Sequence, residues 1–123
     1  MLTIRKAQMD ALASEVVLDF EDRALAHLSQ ASPEWSAAMD AEQREQFIRH
    51  GLRRARKYGF ETEFDVMRYL LAMQALGMRF DESPEHEWAA ALLARRMSPG
   101  QKLDRLLDAV HYQLEARRIR HVD

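Results

Sequence analysis

The chain has 123 residues, 47% hydrophobic and 31% charged, the usual balance of a globular domain with one core. Its 18 Lys and Arg against 20 Asp and Glu leave a net charge of -2, which argues against a generally basic nucleic-acid coat. With no cysteine, disulfides, thiolate nucleophiles and cysteine-based metal sites are excluded.

The first predicted element runs from about Arg5 to Gln30. Met9, Leu12, Val16, Phe20, Ala24 and Leu28 recur at intervals of three and four and form one apolar stripe, with Asp10, Glu15, Asp19, Glu21 and Asp22 mostly off it. Those acids also rule out a signal-peptide core behind the basic start Arg5-Lys6, and no apolar run approaches the ~20 residues of a membrane span. The chain therefore reads as cytoplasmic. A short second helix is predicted from Pro33 to about Met39 and a third from Ala41 to Tyr58, the latter with a narrower stripe of Phe47, Ile48, Leu52, Ala55 and Tyr58. The fourth, Glu63 to Leu76, is apolar on most sides, which suits the middle of a bundle. The fifth covers Pro84 to about Arg96. The sixth covers Pro99 to about Ile119, with Leu103, Leu107, Val110 and Leu114 on one face.

Punctuation supports this division. Pro33, Pro84 and Pro99 each follow a serine that can cap the free N–H groups of a first turn. Ser98 with Gln101 has capping-box spacing, and Asp40 and Thr62 read as two further starts. Gly59 and Gly77 fit helix C-termini. Between Gly77 and Ser83, Met78 and Phe80 suit a connection that tucks apolar side chains onto the core. Nothing alternates with a period of two. The expectation is an all-α, compact single-domain bundle of about six helices over residues 1–123.

Chemical motifs are scarce. The five histidines, at 27, 50, 86, 111 and 121, lack ligand spacing; Asp108 and His111 are half of a carboxylate–histidine pattern that needs a second copy. The serines before proline have work as caps, and no nucleophile elbow or phosphate-cradling glycine loop occurs. The carboxylate pairs Glu61 with Glu63 and Asp81 with Glu82 stand beside helix starts, where the dipole accounts for them. The sequence thus predicts no catalytic residues, no metal and no cofactor.

The densest basic feature lies in the third helix, where Arg49, Arg53, Arg56 and Lys57 share one face. Such a row suits an acidic protein surface; late-helix cations also complement the dipole and pair with nearby acids. Nucleic acid is disfavoured, because no aromatic series interleaves with the arginines and the following helix is too apolar to lie in a groove. Tyr58, Trp35 and Trp88 are the aromatic anchor candidates beside the row, either interfacial or lids on the core. A homodimer through apolar residues of the first and fourth helices, or coverage of those residues by the sixth, both fit the pattern.

One resemblance adds to this. Met1-Leu2-Thr3-Ile4-Arg5, Gln8-Met9 and Phe20-Glu21-Asp22-Arg23, then Gly51 to Phe60, Glu63, Asp65-Val66, Arg68-Tyr69, Leu76-Gly77, Phe80-Asp81, Pro84 and Trp88, resemble small uncharacterised proteobacterial proteins. The genes of that group lie among those for type VI secretion spike, PAAR and effector proteins. The resemblance reaches to about Leu93 and carries no catalytic residues. It implies an accessory protein, whether adaptor, chaperone-like or immunity protein, that binds a larger effector or spike component.

Overall fold

The computed structural model describes residues 6–120, with side chains described from 19 to 118. Among them are six helices and no strand, so the protein is all-α. The helices are α1 (Lys6–Ala31), α2 (Pro33–Ala37), α3 (Ala41–Lys57), α4 (Glu63–Leu76), α5 (Glu87–Leu93) and α6 (Pro99–Arg120). A 3-10 turn, Pro84–His86, precedes α5. No helix among the described residues is long and apolar enough to cross a membrane.

Contacts divide the chain inside α3 into two units, Met1–Ile48 and Arg49–Asp123. In the first, α1 presents Phe20, Ala24 and Leu28, four residues apart and all buried, as its stripe requires. Met9, Leu12 and Val16 of the same stripe lie outside the described side chains. Ser32 Oγ accepts from Trp35 N (3.3 Å) to start α2, which packs on α1. Arg44 then donates to the carbonyls of Met39 (2.6 Å) and Ser36 (2.7 Å), satisfying acceptors that the short helix leaves open. The capping box closes in both directions at Asp40: its carboxylate accepts from Gln43 N (2.8 Å), and Gln43 Oε1 accepts from Asp40 N (3.0 Å).

In the second unit Gly51 decides how α3 meets α4. A Cβ there would run into Leu70 Cδ2 and stand 2.8 Å from Met73 Sδ, so glycine lets α3 approach α4 without displacing either side chain. Thr62 Oγ1 caps α4 through Asp65 N (3.1 Å). Val66, Tyr69, Leu70, Ala72 and Met73 of α4 are buried, and α4 packs along α6. Phe64, by contrast, is 70% exposed, so α4 is not apolar-buried all round. Its ring lies 5.3 Å from the guanidinium carbon of Arg68, which pairs with Asp104 of α6.

Two sequence expectations change here. The fifth helix begins later than Pro84. Ser83 Oγ accepts from Glu85 N (3.3 Å) and Ser83 O from His86 N (3.0 Å), which tightens the first turn to 3-10 before His86 (φ -127°, ψ 43°) breaks it. On α6 the buried stripe is Leu103, Leu106 and Val110; Leu107 is half-buried and Leu114 is 47% exposed. The stripe is thus turned toward Lys102, which is itself buried and donates Nζ to the Leu93 carbonyl (2.8 Å) at the end of α5.

Candidate functional site

The half of α3 in the second unit carries two faces of opposite character. Gly51 looks at α4, and at 100° per residue Arg49, Arg53 and Arg56 fall roughly 140–200° away from it. All three are exposed, as is Lys57. Lys57 Nζ stands 5.9 Å from the centre of the Tyr58 ring. The row inferred from spacing is therefore a solvent-facing one.

The other face starts from His50, Arg54 and Tyr58, which recur every four residues along the flank beside Gly51. Arg54 turns inward although its neighbour Arg53 does not. Its Nε (2.7 Å) and Nη2 both donate to Asp81 Oδ2, and Tyr58 OH donates to the same oxygen (2.7 Å). Arg54 Nη2 also reaches Tyr58 OH (3.2 Å) and Glu82 Oε1 (3.1 Å). The Asp81 side chain is 1% exposed and that of Arg54 18%. Asp81 is thus no helix-dipole partner, as its place before the fifth helix suggested, but the buried carboxylate that ties the 77–83 connection to α3.

Around this pair the aromatics close the site. Tyr69 of α4 is fully buried, with Tyr58, Phe60 and Phe80 ring centres 6.1, 5.9 and 5.3 Å from its own. Phe80 is 1% exposed, so the connection does tuck an apolar side chain inward. Three polar atoms nevertheless have no hydrogen-bond partner: Asp81 Oδ1, Tyr69 OH and His50 Nε2.

The electrostatics follow from this burial. Burial, helped by the hydrogen bond to Asp81 and its charge, pushes the Tyr58 hydroxyl up to about 12. Burial and then the charge of Asp81 push Tyr69 above the ordinary tyrosine range; Arg54 opposes that shift without completing a hydrogen bond. Burial disfavours the charge on Arg54, but Asp81 outweighs it and binds the proton more firmly than in free arginine. His50 moves the other way. Burial lowers it below 6.5, Arg53, Arg54 and Arg79 reinforce that, and Asp81 pulls back.

The remaining anchor candidates lie elsewhere. Trp35, in the first unit, is half-buried with its ring edge-on to Phe47 at 5.1 Å. Trp88 is half-buried beside His86, ring centres 6.3 Å apart. Tyr58 is half-buried and spends its hydroxyl on Asp81. In the first unit, Glu21, Asp22, Leu25, Ala41, Arg44, Glu45 and Ile48 line an open cleft of about 270 Å³. Among the described residues no three His, Asp or Glu side chains are grouped to hold a metal ion.

Comparison with known proteins leaves the reading to these residues: no family model matches the chain, and neither does any curated protein or solved structure.

Proposed function

We propose that the protein is a non-enzymatic interaction module that docks an acidic protein surface on the outer face of α3. The observation that carries this reading is the exposed run Arg53, Arg56 and Lys57, joined by Arg49, on a helix whose inner side is fixed by Gly51 and by the Arg54–Asp81 pair. A rigid helix holds such cations in register, so less side-chain and backbone freedom is lost on binding. Exposed cations facing complementary charge steer encounter and select partners. The resemblance to proteins encoded among type VI secretion genes suggests the partner class, an effector or spike component, and with it an adaptor, chaperone-like or immunity role.

The test compares the wild-type chain with Arg53→Glu/Arg56→Glu, both tagged and recovered from the native cell lysate with and without nuclease. The expected result is a stoichiometric protein partner that survives nuclease and binds the double variant at least about ten-fold more weakly, ~1.4 kcal/mol, with the fold intact by circular dichroism. Equal affinity of the two proteins would remove this face. Recovery that disappears with nuclease, and weakens steeply with salt, would assign the row to phosphates instead.

A further inference from the structure

The connection between α4 and the 3-10 turn places one more cation beside the outer row of α3. It leaves α4 at Gly77 with φ 113°, a backbone state that favours glycine. It then folds on itself through Phe80 N to Gly77 O (3.2 Å) and Glu82 N to Arg79 O (3.0 Å). Three side chains of this turn are anchored: Phe80 lies against Tyr69, Asp81 accepts from Arg54 and Tyr58, and Glu82 meets the same guanidinium. Arg79, the remaining member, is exposed.

Helical phase says which edge of the row it borders. Counting round α3 from Gly51, Tyr58, Arg54 and His50 stand at roughly 20°, 60° and 100°, and Lys57 and Arg53 follow on that same side at roughly 120° and 160°. Arg49 and Arg56 lie on the other side. The connection is fastened to the first part of that arc, at Arg54 and Tyr58, so Arg79 stands beside the edge that carries Lys57 and Arg53. The His50 ring accordingly feels the charge of both Arg53 and Arg79. Among the described residues Arg53, Lys57 and Arg79 have no ion-pair partner, whereas Arg54 is engaged by Asp81 and Glu82.

We infer that Arg79 is a further docking residue, and that an acidic segment held by Arg53 and Lys57 continues onto the 77–83 connection. The inference rests on the reading of α3 as a docking face for acidic protein. A row on one helix matches carboxylates set along one line. A cation beside that helix adds a second direction, so it selects among acidic partners by the layout of their charges. The buried pair of Arg54 with Asp81 holds Arg79 at that spacing, because opening it would strand a charge.

Poly-glutamate titrated into the isotope-labelled full chain at low ionic strength tests this, read from the arginine Nε–H signals. Those of Arg53 and Arg79 should shift together with one apparent Kd. Arg79→Glu should raise that Kd about five-fold, on the scale of one exposed ion pair. Arg118→Glu, which reverses an exposed cation on α6, should raise it less than about two-fold. Shifts at Arg53 without Arg79, or equal weakening by the two variants, would overturn the inference and leave the docking face of α3 standing. Silence at Arg53 would overturn both, since the row itself would then hold no carboxylates.

Discussion

Arg53 and Arg54 are neighbours in sequence and opposites in physics. Arg53 faces solvent on the outer row of α3, where a charge adds little to stability and remains available to a partner. Arg54, one residue and about 100° further round the helix, is withdrawn onto Asp81 and shared with Tyr58. The same residue type therefore stays in solvent on one side of the helix and ties the 77–83 connection to α3 on the other. What separates them is helical phase relative to Gly51, the position that fixes which side of α3 meets α4.

Removing the inner carboxylate should have the largest effect. Asp81→Ala strands a largely buried guanidinium and a tyrosine hydroxyl, and should cost about 3–5 kcal/mol in denaturant unfolding. The matching change in the pair formed by Arg68 with Asp104, whose carboxylate is 68% exposed, should cost no more than about 1 kcal/mol. Equal losses would erase the distinction between buried and exposed pairing.

Gly51→Ala probes the geometry beneath both faces. Alanine gains about 1 kcal/mol in helix propensity, but its methyl meets Leu70 and Met73, which are fully buried and have little room to give. A net loss of about 1 kcal/mol is expected by thermal melting, and a gain would mean that the two helices stand further apart. The smallest effect belongs to Tyr69→Phe. Its hydroxyl is buried without a partner, so its removal should leave stability within about 0.5 kcal/mol or raise it. A loss above about 1.5 kcal/mol would show that the hydroxyl is bonded in solution.

Much of the fold was legible because its signals are local. Ser32, Ser83, Ser98, Asp40 and Thr62 each accept from a first-turn N–H, and Gly59 and Gly77 take the positive φ that their places after a helix suggest. The stripe of α6 was less legible. Leu106 and Leu107 are adjacent and both lie three or four residues from Leu103 and Val110, so spacing alone cannot choose between them. The arginine row was readable because exposure follows helical period. Asp81 was not, for its partners are 23 and 27 residues earlier and nothing beside it marks it as buried. The trace that existed was on α3, where two groups able to hold a carboxylate, Arg54 and Tyr58, share one flank with His50.

The joint between α5 and α6 has a chemical consequence. The chain has three lysines; Lys57 is exposed on the outer row, Lys102 is buried with its ammonium on the Leu93 carbonyl, and the side chain of Lys6 lies outside the described residues. Amine-directed acylation, whether by a laboratory reagent or an acetyltransferase, therefore meets Lys57 on the native protein and Lys102 only after that joint opens. The ratio of modification at the two sites is a built-in gauge, with one amine reporting exposure of the outer face and the other reporting integrity of the α5–α6 joint.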